Sequence, residues 1–282
     1  MKTCAYVYLD GKIQLARDAR VPLFDRGLLF AHSVYEVISV VGGRLVDSGA
    51  HLDRLARSLA GIDLPLPLSL PEIEAMETAL CRQNALDEGV VYLQVTSGDY
   101  GERDFAGPAH LRPRLFAFCE SRKLVDDRAR DGIEAVTLPD TRWARRDLKT
   151  TQLLSQALAY RRAAERGAQT AIMHENGLVT EAASANVWIV DTRGVVLTRD
   201  LSPAILGGVT RAAVLELGAI DALESTFSVD DMMAANEVFL TSSVGMVLPV
   251  VEIDGQVIGA GAPGPVTRAV QSAYWERIGL VP

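Results

Sequence analysis

Arg142-Trp143-Ala144-Arg145-Arg146-Asp147-Leu148-Lys149-Thr150-Thr151-Gln152-Leu153-Leu154 is the stretch on which the reading of the fold turns. It sets a lysine behind three arginines. The run that follows carries Leu153, Leu154, Ala157, Leu158 and Ala164 at helical spacing and stops at Gly167. That spacing predicts a helix over 150–166. Lysine is scarce here, standing only at Lys2, Lys12, Lys123 and Lys149. Neighbouring like charge favours the neutral amine, the form that Schiff-base chemistry needs. A solvated surface lysine is the commoner meaning of such a position, so Lys149 gains weight only from its surroundings.

Outward from this stretch the pattern is mixed. Upstream, strands are predicted over 5–9 and 12–15 around the Asp10-Gly11 turn, and over 34–41 and 44–46 around Gly42-Gly43. Helices follow over 51–60 and 71–84, the second opened by Pro71. A strand over 90–96, a polar glycine-containing loop over 97–108 and a strand over 115–119 complete the first half. Residues 120–130 are polar without core periodicity and read as a linker. Downstream come short strands over 170–174, 178–180, 186–190 and 195–198, a helix from about Thr210, strands over 237–241 and 247–253, and a helix over 265–278. Strands and helices without strict alternation indicate an α/β fold of α+β character. The domains expected are 1–119 and 131–282, the second carrying Lys149.

Composition narrows the function classes. The 282 residues are 49% hydrophobic and 23% charged, the profile of a globular chain able to bury a core. A net charge of -8 argues against a general nucleic-acid binder. No apolar run is long enough to span a membrane, and no signal peptide is expected at the N-terminus. Cys4, Cys81 and Cys119 are far apart in sequence and form no CxxC, which fits a reducing cytoplasm better than a disulfide framework or zinc site. His32, His51, His110 and His174 have no metal-ligand spacing, so no metal is expected.

Four further segments could carry chemistry. Glu181 ends a short strand before Ala182-Ala183-Ser184-Ala185, small residues that let a flat ring approach the backbone. A carboxylate beneath a pyridine nitrogen keeps it protonated, and a pyridinium is an electron sink. Ala204-Ile205-Leu206-Gly207-Gly208-Val209-Thr210-Arg211 opens a helix, where free backbone N–H groups and the dipole favour an anion. Arg54, read as pointing off the apolar face of its helix, and Thr241-Ser242-Ser243 could add contacts to a phosphate. Each segment also has an ordinary meaning: a turn glutamate, a glycine turn with a threonine cap, a surface arginine.

Taken in order, the segments resemble a family. Asp25-Arg26-Gly27, Val34-Tyr35-Glu36-Val37, His51-Leu52-Asp53-Arg54-Leu55, Arg142-Trp143 and Asp147-Leu148-Lys149 carry the first half of the resemblance. Val179-Thr180-Glu181, Ser184-Ala185-Asn186, Gly208-Val209-Thr210-Arg211 and Thr241-Ser242-Ser243 carry the rest. The chain resembles the class IV, fold-type-IV aminotransferases, and most of all the D-amino-acid transaminases. The resemblance implies two domains with pyridoxal 5'-phosphate (PLP) between them, usually in a homodimer. It implies Lys149 as the Schiff-base lysine and proton shuttle, and Glu181 at the pyridine nitrogen. Arg54, Val209, Thr210, Ser242 and Ser243 would hold the phosphate, and Leu206 would pack on the ring. Tyr35, with Phe30, Arg103 and Ser184, would face the substrate.

The implied reaction is a ping-pong exchange of an amino group between a D-amino acid and a 2-keto acid. The loop over 97–108 departs from that pattern. Ser97 stands where an arginine is common, and Phe105 stands where a histidine follows the carboxylate arginine. This leaves an (R)-selective amine transaminase as the alternative. A branched-chain aminotransferase and an aminodeoxychorismate lyase rank below it.

Overall fold

The computed structural model describes residues 2–280. The chain divides into two units. The first runs to Leu124 and adds Leu148–Gln152, and the second takes Val125–Asp147 and continues from Leu153.

The first unit is built on a six-stranded sheet of order β2-β1-β6-β5-β3-β4. Its strands are β1 (Lys2–Leu9), β2 (Lys12–Leu15), β3 (Ser33–Val41), β4 (Arg44–Leu45), β5 (Gly89–Thr96) and β6 (Arg114–Ser121). Its helices are α1 (Arg26–Phe30), α2 (Ser48–Ala60) and α3 (Leu70–Gln83). Successive side chains of a strand point to opposite faces. Val34, Ile38 and Val40 of β3 accordingly join Leu52, Leu55 and Leu59 of α2 and Ile73 and Leu80 of α3 in one core. Tyr35 points the other way and stacks on Tyr92 of β5, with ring centroids 5.6 Å apart. At the start of α3, Ser69 and Glu72 form a reciprocal capping box, and Pro71 tolerates the first turn because its missing N–H would have no partner there. Cys81 and Cys119, distant in sequence, meet in this core with their thiols hydrogen bonded, and Cys4 packs against the same cluster.

The second unit holds α4 (Asp127–Asp131), β7 (Ile133–Pro139), α5 (Leu154–Glu165), β8 (Thr170–Glu175), β9 (Leu178–Ala182), β10 (Asn186–Val190) and β11 (Val196–Thr198). It continues with α6 (Val209–Glu216), β12 (Ala222–Glu224), α7 (Val229–Met233), β13 (Glu237–Ser242), β14 (Met246–Ile253), β15 (Gln256–Val257) and α8 (Pro265–Ile278). Its sheet has the order β12-β11-β10-β13-β14-β7-β8-β9, with β15 paired to β14. β10 is buried along its whole length. Trp188 stacks on Phe239 of β13 at 5.4 Å and donates its indole N–H to Thr241 Oγ1 at 2.9 Å, which satisfies the one polar atom of a fully buried ring.

Two expectations meet a different arrangement. The stretch 120–130 contains the boundary between the two units, at Leu124 and Val125, but it is not bare: it finishes β6 and enters α4, whose first turn is capped by the Asp126 carboxylate accepting from Arg128 N. Residues 150–153 are not helical, and α5 begins at Leu154. The segment around Lys149 and Thr151 pairs with β3 instead. Tyr35 N donates to the Lys149 carbonyl at 3.1 Å and Thr151 N to the Ser33 carbonyl at 3.1 Å, around an antiparallel bridge between Val34 and Thr150. This pairing groups Lys149 with the first unit, whereas the sequence placed it in the second.

Candidate active site

Lys149 is half-buried, on an extended segment fixed from both sides. Besides the pairing to β3, its backbone N–H donates to Ser58 Oγ of α2 at 3.1 Å. Its Nζ lies 4.2 Å from the centre of the Tyr35 ring, so two residues the sequence proposed for chemistry face each other. The three arginines before Lys149 are each paired with a carboxylate. Arg142 pairs with Asp140 and Glu181, Arg145 with Asp147, and Arg146 with Glu175.

Arg54 does not point away from the core. It is 4% exposed, and its Nε and Nη2 grip the two oxygens of Glu36 at 2.8 and 2.7 Å. His51, one turn earlier on α2, donates its Nδ1 hydrogen to Glu36 Oε2 at 2.8 Å. Burial pushes the Glu36 carboxyl up, and Arg54 and His51 more than reverse this, leaving it far below the usual carboxylate range. Burial pushes His51 down, against the pull of Glu36. Glu36 and His51 were not assigned roles from sequence. The signal available was spacing: His51 and Arg54 are three apart, hence on one helix face.

Phe30 and Arg103 are brought together. The Arg103 guanidinium lies 5.3 Å from the Phe30 ring centre and 4.8 Å from that of Phe105. Phe105, where a histidine would fit the D-amino-acid pattern, serves here as one wall of an arginine-aromatic stack.

In the second unit Glu181 is 4% exposed on β9. Its carboxylate contacts Arg142 Nη1, accepts Asn186 Nδ2 at 3.2 Å, and accepts Leu206 N at 3.3 Å on both oxygens. Asn186 Nδ2 also donates to the Leu206 carbonyl at 2.9 Å, tying β10 to the loop before α6. Burial pushes the Glu181 carboxyl up, and Arg142 and the Leu206 N–H pull back without cancelling it. Arg142 stays charged between two carboxylates, which outweigh the cost of its burial.

α6 starts at Val209 with Gly208 as N-cap and no side chain capping it. Val209 and Thr210 are buried at 7% and 2% in that first turn, while Leu206 is partly exposed just before it. Ser242 and Ser243 lie where β13 turns into β14, and Ser242 Oγ accepts from Gly245 N at 3.0 Å. Ser184 is exposed and its hydroxyl is taken up by Tyr160. Among the described residues, no group of three or more His, Cys, Asp or Glu is placed to hold a metal, and no helix is long and apolar enough to cross a membrane.

Comparison with known proteins accords with this arrangement. Residues 33–253 match the family model described as amino-transferase class IV. A D-alanine aminotransferase of Bacillus licheniformis is 36% identical over 275 residues, covering 96% of both chains. Another, of Staphylococcus aureus (strain MSSA476), is 33% identical over 272 residues, covering 95% of this chain and 96% of its own. Among solved structures, a branched-chain amino acid aminotransferase of Escherichia coli superposes with a TM-score of 0.91 at 25% identity, covering 97% of this chain and 94% of the other. One from Thermoproteus uzoniensis superposes with a TM-score of 0.85 at 25% identity, covering 99% and 96%.

Proposed function

This chain belongs to the class IV aminotransferases, and from that premise we propose that it moves an amino group between a D-amino acid and a 2-keto acid with PLP as its cofactor. The observation that carries the substrate class is the similarity, over nearly the whole chain, to D-alanine aminotransferases.

The donor set fits PLP. A carboxylate offers about four lone-pair sites. Glu181 accepts from Arg142, from Asn186 and, shared between both oxygens at 3.3 Å, from Leu206 N, and a ring pyridinium would take over one half of that long shared contact. The uncapped first turn of α6 offers Val209 and Thr210 N–H groups to a phosphate. The Thr210, Ser242 and Ser243 hydroxyls would add to that set, and the family resemblance assigns the Arg54 charge to the phosphate as well. When bound, PLP supplies an electron sink for the electron pair of the breaking Cα–H bond.

The roles of the chain's own groups follow. Lys149 Nζ is the attachment point for the cofactor and then moves the proton that leaves the substrate Cα. The Tyr35 ring, 4.2 Å from Nζ, limits where that amine can swing and faces the substrate. Glu181 would hold the ring nitrogen through its proton, and Leu206 would pack on the ring. Glu36 locks the Arg54 guanidinium in one orientation, so the charge offered to phosphate is held before the ligand arrives. Phe30, Arg103 and Ser184 belong to the substrate side, Arg103 supplying charge for a carboxylate. The reading carries a homodimer, the state usual in the family.

The test is an absorbance titration of the PLP-loaded protein with D-alanine, L-leucine and (R)-1-phenylethylamine in turn. Conversion of the cofactor band by D-alanine is expected. Conversion mainly by the amine moves the assignment to an (R)-amine transaminase. Conversion mainly by L-leucine moves it to a branched-chain aminotransferase. Absence of a cofactor band after PLP is added refutes the reading.

A further inference from the structure

Glu181 faces a difficulty that its own position creates. A carboxylate serves a ring nitrogen only while it keeps its negative charge, because a neutral acid leaves the ring without its proton. Burial at 4% exposure works toward the neutral acid. Asn186 and Leu206 contribute only neutral N–H groups. The cation in contact with the carboxylate is Arg142, through Nη1.

Arg142 is itself held. Its Nε and Nη2 form a two-point grip on Asp140, at 3.0 Å to Oδ1 and 2.6 Å to Oδ2. The Asp140 side chain is fully buried and also accepts Thr180 Oγ1 at 2.7 Å. Thr180 is the residue before Glu181, so the same aspartate ties down the arginine and the strand that presents the glutamate. Arg146 Nη1 stands 3.6 Å from Asp140 and pairs with Glu175 at 3.0 Å, balancing the second carboxylate. A planar guanidinium can serve two carboxylates at once with fixed geometry, which a lysine cannot.

We propose that Arg142, locked by Asp140, is a positioning residue of the reaction: it keeps Glu181 negatively charged and aimed, so that the proton at the cofactor's ring nitrogen stays on the nitrogen. This rests on the proposed PLP-dependent function. Asp140 acts one step further back, by fixing which way the guanidinium points.

The test uses the charge state of Glu181 as a readout that needs no cofactor. Infrared difference spectra of cofactor-free protein at pH 7 would compare wild type, Arg142→Met and the double variant Arg142→Met with Glu181→Gln. A neutral-acid carbonyl band is expected in Arg142→Met, absent from wild type and reduced in the double variant by the share that Glu181 contributes, any remainder coming from Asp140, which loses the same cation. Arg142→Lys, which keeps a cation, is expected to lack the band and guards against a folding defect in Arg142→Met. In PLP-loaded protein, Arg142→Met is expected to lower kcat with D-alanine about 10- to 100-fold, the range seen when a group orienting a ligating side chain is removed. In a Glu181→Gln background the same change is expected to cost less than about threefold, since the two act as a unit. Lack of the acid band in folded Arg142→Met overturns this inference and leaves the proposed function standing. The acid band together with an unchanged kcat removes Glu181 from the chemistry, overturning both the role of Arg142 and that part of the proposed function.

Discussion

Replacing Glu36 is expected to be among the most costly single changes in the first unit. The carboxylate is 0% exposed and accepts three charge-assisted hydrogen bonds, from Arg54 Nε and Nη2 at 2.8 and 2.7 Å and from His51 Nδ1 at 2.8 Å. Glu36→Ala leaves a guanidinium that is 4% exposed without its counter-ion, and breaking a buried pair in this way costs about 3–5 kcal/mol. Glu36→Gln keeps one acceptor oxygen and the side-chain volume, so about 1.5–3 kcal/mol is expected, the range for a hydrogen bond to a charged group. Both are large against a typical total of about 5–15 kcal/mol. The sign of the pH dependence follows from the lowered Glu36 pKa. Its contribution is complete above the ordinary carboxylate value of 4.5 and is lost as pH falls below it. The gap between wild type and Glu36→Gln should therefore narrow in acid. Trp143, Trp188 and Trp275 all lie in the second unit, so indole fluorescence is the wrong probe. Amide hydrogen exchange in β3 and α2, at pH 7 and in mild acid, reads the affected region directly. A Glu36→Ala penalty below about 1 kcal/mol, or a Glu36→Gln gap that widens as pH falls, refutes the assignment of this ion pair.

Other changes test the remaining parts. Lys149→Ala is expected to abolish transamination with every donor in a keto-acid release assay, and wild-type turnover would remove Lys149 from its role. Gly208→Ala puts a Cβ into the Asn186 side-chain amide oxygen, pushing Asn186 away from Glu181 and the Leu206 carbonyl. Equilibrium dialysis should show PLP affinity reduced roughly tenfold, the equivalent of about one such hydrogen bond to a charged group, and unchanged affinity would mean that Asn186 does not hold this loop. Iodoacetamide labelling followed by mass spectrometry should modify half-buried Cys4 first. Cys119 should stay unlabelled in the native protein, because its hydrogen bond with the Cys81 thiol, and then burial, push its pKa far up.

Much of the site was legible because its chemistry needs particular residue types in a particular order. Lys149, Glu181 and the Gly207-Gly208-Val209-Thr210 run could be picked out from sequence. The structure then places Lys149 over Tyr35 and Leu206 N on Glu181. Orientation was less legible. Arg54 reads as a polar residue on an amphipathic helix, and nothing local says that Glu36, eighteen positions away, neutralises it and draws it inward. The helix over 150–153 failed for a related reason: nothing local separates Thr150 and Thr151 from the apolar spacing that starts at Leu153, but Thr151 N donates to β3 and Thr150 bridges to Val34. The short α1, α4 and α7 helices, each five residues long, carry too few turns to show a period.

The sequence by itself determined most of the inventory: the longer strands and helices, that the chain is a mixed α/β protein, and which lysine and glutamate stand in motif positions. These are readable because backbone propensity, apolar period and turn chemistry are local properties. Tertiary structure alone decided how the charges are shared. Glu36 holds Arg54 and His51, Asp140 holds Arg142, and Arg142 holds Glu181, across separations of two to thirty-nine residues. A buried charge is tolerated only beside its partner, and which partner it meets depends on strand register and helix facing, which no stretch of sequence specifies by itself.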